Sequence, residues 1–471
     1  MSSTNQIQSL IAHYLATNYP SVLEPFLQAS HIPAPDPSQP PNPDLRTLVE
    51  DWASQQLVNN LDAVVIEDEE MAPVDDGSWR GWTTKDVMKL TLKEDVKLSG
   101  AKRSLEGISA SNLLTVGQAK VPKREFVTST ASYQATYPSK IITTSVDKSL
   151  KIIDYQSGEV ERILQPHRAA ILAFALHPTN PRYLLTGSMD GTTVLTDLVT
   201  DQPSQTFTSS KFVVRVAFSP DGQYIATASY DHHIVIYQAT SSAHPPPFTE
   251  DDIPLDETDD AQLACDPDLR YTEVHRIKVD SNPEAILFHP ESSWLMYTTR
   301  SSHLLTYVRL PSSSTEGQWQ VKTKSFNPHP MDNHVSFAVL NLALHPSGRV
   351  IACQTGDHRG GAGERILIYG VEPEETERLA CLWTGSEGDD FVLPRMAWLP
   401  DGSALITTTP NGYLNLISLS GETRSSVKIH GAQDLGQASS EVVRDCYVVS
   451  TDDGDWEVLS VGYDRQIRIS R

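Results

Sequence analysis

Residues 217–237 read AFSPDGQYIATASYDHHIVIY, and the rest of the chain repeats their pattern. Pro220 and Gly222 mark a tight turn, because proline fixes φ and glycine accepts the positive φ that completes such a turn. A run of apolar and small residues then leads to a second turn at Asp231, whose carboxylate can accept hydrogen bonds from nearby backbone amides. Another apolar run follows it. The order strand, turn, strand, turn, strand predicts one small antiparallel sheet.

The position of Asp231, which we call the anchor, recurs along the chain, and Asp or Asn stands at five of the seven anchors. The anchors are Asp147, Asp190, Asp231, Ser301, Gly363, Asn411 and Asp464. Consecutive anchors lie roughly 40 to 70 residues apart, and repeats of this length are typical of the four-stranded blades of a propeller.

These segments resemble WD40 repeats, and the resemblance covers about residues 108–471. The Trp-Asp ending of that family is absent. Its bracing network of histidine, serine and aspartate is nearly preserved in blade two alone, by His167, Ser188 and Asp190. The resemblance implies an all-β fold, a seven-bladed WD40 β-propeller closed by an N-terminal outer strand. The sequence ends seven residues after the anchor Asp464, so the last blade has only three strands from its own repeat. We therefore expect residues 109–121 to supply the outer strand of this blade.

Residues 1–30 carry apolar stripes at helical spacing, interrupted at Tyr19-Pro20. The stripes resemble a LisH motif, L-I-x-x-Y-L followed by a helix with an apolar anchor, although the acidic residue expected after the second helix is missing. The matching residues are Leu10, Ile11, Tyr14, Leu15, Tyr19 and Phe26. Two short helices bury too little apolar surface to be stable alone. The resemblance therefore implies a homodimer, and a helical hairpin docked on its own propeller is the alternative.

Two further segments separate or interrupt the predicted domains. Residues 31–107 are expected to be a Pro-rich linker with one amphipathic helix and an acidic stretch, in which Trp79 and Trp82 hold the linker against the propeller. Residues 241–270 form an acidic insert in blade three, on the face opposite the anchors. We expect a solvated loop there, with an acidic docking arm as the alternative.

The composition of the chain limits its expected cellular location and the classes of partner it can bind. A net charge of −23 argues against direct nucleic-acid binding, which needs clustered Lys and Arg. The negative charge is expected to serve solubility. Binding of a basic partner, such as a histone tail, is the alternative. The chain shows neither a run of about 20 apolar residues nor a signal peptide, so no membrane association is expected. The four cysteines are scattered, which predicts reduced thiols and a cytoplasmic or nuclear location.

Motifs for catalysis are absent from the sequence. The nucleotide-binding, zinc-protease and serine-hydrolase patterns do not occur. The glycine-rich residues 354–365 do not lead into a helix, so no helix N-terminus awaits a phosphate. The histidine pairs lack the partners and spacing of a metal site. We therefore expect no enzyme, with no catalytic residue, no metal and no cofactor.

The remaining candidate is a recognition surface. The WD40 resemblance places the anchor turns on the face where the channel is narrow, where peptides usually dock. The candidate rim residues are Lys148, Asp190, His232, Arg300, His358, Arg359, Asn411 and Arg465. The favoured function is a non-enzymatic protein–protein interaction scaffold, a LisH-mediated dimer that presents a WD40 propeller to peptide or protein partners within a larger complex. The alternatives are a substrate receptor or scaffold subunit of a ubiquitin-ligase complex, or a histone-binding transcriptional corepressor subunit.

Overall fold

The computed structural model describes the following residues: 3–31, 33–35, 79–127, 132–240, 254–255, 269–311, 319–327, 329, 332–356, 364–386, 392–431, 441–451 and 454–471. The chain divides into two compact units, Met1–Asp76 and Gly77–Arg471. In the first unit, helices α1 (Ser3–Asn18) and α2 (Pro20–Ser30) pack together. No helix within the described ranges combines the length and apolar character needed to cross a membrane.

The described residues of the second unit form seven four-stranded antiparallel sheets, which we number as blades one to seven. Each blade is given from its inner to its outer strand. Blade one contains β2 (Leu113–Lys120), β5 (Ser139–Ser145), β6 (Leu150–Asp154) and β7 (Val160–Leu164). Blade two contains β8 (Ile171–Leu176), β9 (Tyr183–Ser188), β10 (Thr192–Asp197) and β11 (Gln202–Thr208). Blade three contains β12 (Val213–Phe218), β13 (Tyr224–Ser229), β14 (His233–Ala239) and β16 (Tyr271–Lys278).

The remaining blades follow the same order. Blade four contains β17 (Pro283–Phe288), β18 (Trp294–Thr299), β19 (Leu304–Arg309) and β20 (Val321–Ser325). Blade five contains β21 (Ala338–Leu344), β22 (Val350–Gly356), β23 (Arg365–Gly370) and β24 (Arg378–Trp383). Blade six contains β25 (Met396–Trp398), β26 (Ala404–Thr408), β27 (Tyr413–Ser418) and β28 (Thr423–Lys428). Blade seven contains β29 (Val443–Ser450), β30 (Trp456–Gly462), β31 (Ile467–Ser470) and β1 (Ala101–Leu105).

The inner strands lie side by side in chain order, and the inner strand of blade seven contacts that of blade one, which completes a seven-bladed β-propeller. An N-terminal outer strand closes the ring, as predicted, but the predicted residues are wrong. Strand β1 pairs with β31 in blade seven, whereas residues 109–121 contain β2, the inner strand of blade one. Strand β2 is buried along most of its length, which suits an inner strand, and β1 begins with exposed residues, which suits an edge.

The apolar core is divided among the blade interfaces. Seven clusters of buried side chains each join two neighbouring blades, and the cluster of blades seven and one includes Leu105 from the closing strand. The second strands β9, β13, β22 and β26 are buried at every residue because blades cover both of their faces. This explains why the sequences of β9 and β13, YLLTGS and YIATAS, are continuous runs of small and apolar residues rather than alternating ones.

A separate three-stranded sheet is formed in part by residues between the first two strands of blade one. The hairpin of β3 (Lys123–Val127) and β4 (Ser132–Thr136) connects β2 to β5, and β15 (Pro254–Leu255) pairs with β4. Strand β15 belongs to the acidic insert 241–270, for which a solvated loop is predicted. At these two residues the prediction is wrong, because their backbone pairs with β4. The hairpin of β3 and β4 lies at the end of blade one that is opposite its anchor turn.

Part of the segment predicted as a linker packs on the propeller. Helix α3 (Thr84–Met88) starts with a capping box, in which the side chains of Thr83 and Asp86 each bond the other's backbone. Trp82 belongs to the core cluster of blades five and six. The Trp79 ring lies 5.2 Å from that of His345. Both tryptophans therefore hold this segment against the propeller, as the sequence indicates.

Candidate protein-binding site

The anchor turns connect the second and third strands of their blades, and a repeated backbone contact fixes them. In five blades the residue before the anchor donates its N–H to a carbonyl in the loop that leads into an inner strand. Pro410 in blade six has no N–H, and residue 362 in blade five lies outside the described residues. Val146 donates to Asn112 at 3.0 Å, Met189 to Ala170 at 2.9 Å, and Tyr463 to Val442 at 3.1 Å. Tyr230 and Arg300 make the same contact. The anchor turns and the starts of the inner strands therefore share one face of the ring, which we call the anchor face.

Three of the predicted rim residues occupy a special turn position. Lys148, His232 and Arg465 have φ values of 74°, 66° and 66°, and glycines take the equivalent position after the anchor in blades two and six. Lys148 and Arg465 are exposed, whereas His232 is half-buried with its Nε2 3.1 Å from Asn282 Oδ1. Positive φ is unfavourable for side chains other than glycine, so these residues form turns held by their surroundings.

The other predicted rim residues divide into three groups. The Asp190 carboxylate accepts hydrogen bonds from the backbone N–H groups of Arg168 and Thr192, each at 2.8 Å. Arg300 donates from Nε to Glu284 at 2.7 Å. Asn411 is exposed in its turn. His358 and Arg359 lie outside the described residues. The face therefore collects the described members of the predicted set, but Asp190 and Arg300 are engaged within the chain.

A histidine braces blade two in the way that the sequence indicates, with one change of partner. His167 Nδ1 lies 3.2 Å from Asp190 Oδ2, and its Nε2 lies 2.8 Å from Thr186 Oγ1. Ser188, the predicted third member, instead donates to the carbonyl of Ala170 at 2.9 Å. Burial lowers the pKa of His167, and the hydrogen bond and charge of Asp190 only partly offset that effect.

Blade seven has a second brace, so the prediction that blade two alone preserves one is wrong. His430 Nδ1 lies 2.9 Å from Asp464 Oδ2, and its Nε2 lies 2.9 Å from Ser460 Oγ. Burial raises the pKa of Asp464, but the hydrogen bond from His430 and its charge hold that pKa below its usual value. The histidine and its anchor are separated by 34 residues here and by 23 in blade two, and this longer spacing hides the pattern in the sequence.

Apolar side chains on the anchor face form a set that the sequence prediction missed. Val146, Met189 and Phe212 are 47%, 38% and 42% exposed, and they come from consecutive blades or the loop between them. Tyr230 and Tyr463 are half-buried at the same pre-anchor position. We call Val146, Met189 and Phe212 the apolar arc. The available signal was the apolar or aromatic residue that precedes an anchor in most repeats.

A cavity of about 330 Å³ opens in the centre of the ring. Segments of β2 and β8 line it together with Arg215, Arg395 and Asp445. These three side chains come from the beginnings of inner strands in blades three, six and seven, so they lie toward the anchor face. The sequence prediction missed them as well, although Arg215, Arg395 and Arg444 each interrupt an apolar run where an inner strand begins.

The two arginines and Asp445 in the cavity interact with the backbone and with one another. Arg215 donates to the backbone carbonyls of Val214 and Leu340 at 2.9 and 3.3 Å. Arg395 Nε lies 3.6 Å from Asp445 Oδ1. Burial, reinforced by the nearby positive charges of Arg215 and Arg444, holds the pKa of Arg395 well below its usual range. Burial also raises the pKa of Asp445, an effect that Arg395 partly offsets.

Five of the six predicted dimerisation residues lie on the two helices of the first unit, and Tyr19 lies between the helices. Ala12 is buried, whereas all six predicted residues retain exposed surface. Tyr19, at the junction of the helices, is 56% exposed, and its ring lies 6.2 Å from that of Tyr14. Helix α2 has no buried residue. The helix pair thus carries apolar side chains that it does not itself cover.

The chain resembles known proteins at the blades just described. The model of the WD domain, G-beta repeat, matches residues 158–197 and 201–238. These two segments are WD40 repeats. Each begins near the outer strand of one blade and ends at the third strand of the next, so a repeat links neighbouring blades. Propellers built from WD40 repeats generally serve as protein–protein interaction scaffolds and are typically non-enzymatic.

A curated relative shares part of the chain. Protein tipD of Dictyostelium discoideum is 33% identical over 102 residues, which represent 20% of this chain. The similar stretch spans 17% of the length of that protein.

Proposed function

We propose that this WD40-repeat propeller is a non-enzymatic scaffold that binds a protein or peptide partner on its anchor face. The apolar arc carries the proposal. Met189 and Phe212 leave large apolar side chains in solvent next to a channel lined with arginine. Exposed apolar groups that adjoin polar ones often mark interaction sites, and a few such side chains dominate the binding energy. Binding on this face requires no cofactor and no metal.

The experiment compares partner capture by three forms of the full chain. Met189→Asp combined with Phe212→Asp places charges on the apolar arc. Val199→Asp is the matched control, because Val199 is 39% exposed in the turn that follows the third strand of blade two, at the opposite end of the blade. We expect proteins captured by the wild type and by the control to be lost from the double variant. Equal capture by all three folded forms would refute the proposal.

The scaffold is further proposed to be a homodimer through residues 1–30. The uncovered apolar side chains of α1 and α2, including the six residues of the LisH-like pattern, support this proposal. A second copy of the same helix pair would cover them. Two propellers on one dimer raise avidity through effective concentration, without stronger contacts at either site.

Sedimentation tests the dimer. The full chain is expected to sediment as a dimer, and a chain that lacks residues 1–30 is expected to sediment as a monomer. Ile11→Asp should dissociate the full chain, whereas Ser9→Asp should not, because Ser9 is exposed on the same helix. A monomeric full chain would overturn the dimer and leave the anchor-face proposal standing. A dimer that survives deletion would place the interface elsewhere.

Two kinds of complex remain as alternatives for the scaffold in the cytoplasm or nucleus. Co-purification with a RING-bearing complex would identify a substrate receptor or scaffold subunit of a ubiquitin ligase. Binding of histone peptides would identify a corepressor subunit. We do not favour a basic tail as the ligand of the channel, because Arg215 and Arg395 would repel it there. The net charge of −23 likewise disfavours direct binding of nucleic acid.

A further inference from the structure

The centre of the anchor face holds more positive charge than its own acids neutralise. Arg215 and Arg395 line the cavity, and Arg444 follows Val443 at the start of the adjoining strand β29. Burial lowers the pKa of Arg395, but the pKa of arginine starts so high that its guanidinium stays protonated in proteins. We call these three residues the arginine collar. The arginine collar is a local excess of positive charge in a chain whose net charge is −23.

The hydrogen bonds of the arginine collar go mainly to neutral groups. Arg215 donates to the backbone carbonyls of Val214 and Leu340, and Arg395 donates to the carbonyl of Pro394 at 3.3 Å. Arg444 Nη1 is buried and has no hydrogen-bond partner within the described chain. Buried charged donors are normally paired, because their loss of hydration is otherwise uncompensated. Arg444 Nη1 can therefore donate a hydrogen bond to an anionic group that a binding partner brings.

The nearby carboxylates are already engaged. Asp445 is the acid that lines the cavity in the described part of the chain, and it accepts backbone N–H groups from Val116 and Cys446, each at 3.0 Å. Glu284 is 1% exposed and accepts from Arg300 at 2.7 Å. Asp445 is thus the carboxylate that lines the cavity with Arg215 and Arg395, and the charges of Arg395 and Arg444 both act on it.

We propose that the arginine collar binds an anionic side chain, a carboxylate or a phosphoryl group, that the partner inserts into the channel from the anchor face. The inference rests on the proposed function and specifies the chemistry of the partner. The apolar arc would hold neighbouring apolar side chains of the same segment. Guanidinium groups suit this role, because their planar donors match the oxygens of carboxylates and phosphates. The cavity of about 330 Å³ is large enough for a side chain but not for a folded domain.

Peptide selection tests the inference with no need to identify the natural partner. A displayed library of random peptides, each about nine residues long, is selected on the full chain. Peptides that lose binding to the Met189→Asp, Phe212→Asp variant are retained as anchor-face ligands. These ligands are expected to share an acidic residue beside an apolar one. Synthetic versions of the best ligand then carry Glu, phosphoserine or Gln at that position, which distinguishes the two sources of negative charge.

Variants of the arginine collar separate a binding role from a structural one. Arg444→Gln is the first choice, because Arg444 Nη1 donates no hydrogen bond within the described chain and the replacement should leave the fold intact. We expect it to weaken the acidic peptide by about tenfold or more and to leave the Gln peptide unaffected. Arg349→Gln is the matched control, because Arg349 is exposed in a turn at the opposite end of blade five. It should change affinity by less than about twofold.

A charge exchange gives a second readout. Arg444→Glu should reject the acidic peptide and gain affinity for a version that carries Lys at the acidic position. Anchor-face ligands that are neutral or basic, or acidic ligands that bind Arg444→Gln as well as the wild type, would overturn the arginine collar while the proposed function stands. If no peptide depends on the apolar arc and no captured protein does either, the proposed function itself fails.

Discussion

Blades two and seven hold their anchor turns with a buried histidine, whereas blade four uses an ion pair at the same place. In blade seven, His430 lies 2.9 Å from Asp464. In blade four the anchor is Ser301, and Arg300 before it donates to the buried Glu284 at 2.7 Å. The histidines lie between an outer strand and the next inner strand, whereas Glu284 is the second residue of the inner strand β17. The difference teaches that an anchor turn can be held by a polar link other than a histidine–aspartate pair.

The histidine–aspartate brace and the ion pair differ in the solvent exposure of their side chains. The His430 side chain is fully buried and Asp464 is 6% exposed, so either partner without the other would be an isolated buried polar group. In blade four, Arg300 is 28% exposed and can return to water, while Glu284 is 1% exposed. We therefore expect the histidine braces to be more sensitive to substitution than the ion pair.

The largest effect is expected from Asp464→Ala. The substitution leaves His430 buried without its partner and removes the acceptor for the Gln466 N–H, so it should lower the free energy of unfolding by about 3 kcal/mol. Urea unfolding followed by tryptophan fluorescence measures the loss. Asp455→Ala is the control in the same blade, because the exposed pair of Asp455 and Arg471 should contribute less than about 1 kcal/mol. Equal losses would contradict the importance of the brace.

An intermediate effect is expected from Glu284→Gln in blade four. It breaks the pair with Arg300 and should cost about 2 kcal/mol of stability, less than Asp464→Ala because Arg300 can be hydrated. Glu284→Met combined with Arg300→Met should recover stability to within about 1 kcal/mol of the wild type, since an apolar pair can replace a buried ion pair. Urea unfolding compares the two variants, and a double variant no more stable than Glu284→Gln would show that the pair does more than satisfy its own charges.

A pH dependence should distinguish the brace of blade two from the ion pair of blade four. Burial lowers the pKa of His167 below its usual 6.5, so the unfolded chain binds a proton there before the folded chain does. The stability that this histidine contributes is present above pH 6.5 and is lost as the pH falls toward its folded pKa. His167→Gln should therefore weaken the decline in unfolding midpoint between about pH 7.5 and about pH 5. His334→Gln, at an exposed position, should leave it unchanged.

The smallest effect is expected from Ser301→Asp, which restores an aspartate at the anchor of blade four. The new carboxylate would find no histidine brace among the described residues of this blade, and Ser301 is exposed. Stability should therefore change by no more than about 0.5 kcal/mol, as for most surface substitutions. A gain of more than about 1 kcal/mol in thermal or urea unfolding would show that an anchor aspartate stabilises its turn without a brace.

Some features of the fold and site could be predicted because they are local. The turn at Pro220 and Gly222 and the recurring anchors predicted seven repeated small sheets, since a turn residue acts on its immediate neighbours. The closing strand was misplaced because residues 109–121 include the apolar run Leu113, Leu114 and Val116, whereas the true strand AKRSL is largely polar and lacks an alternating pattern. The brace of blade seven was missed because its histidine and anchor lie 34 residues apart. Contacts between distant residues leave no fixed spacing in a sequence.

The sequence by itself determined that this chain contains repeated small sheets, where their turns lie, and that its net charge is strongly negative. Only the tertiary structure decided which strand closes the ring and which side chains meet in the channel. Arg215, Arg395 and Asp445 come from three different blades and line one cavity because the ring brings the starts of their inner strands together. Ring closure is a long-range condition satisfied by packing at all seven blade interfaces, so no single segment encodes it.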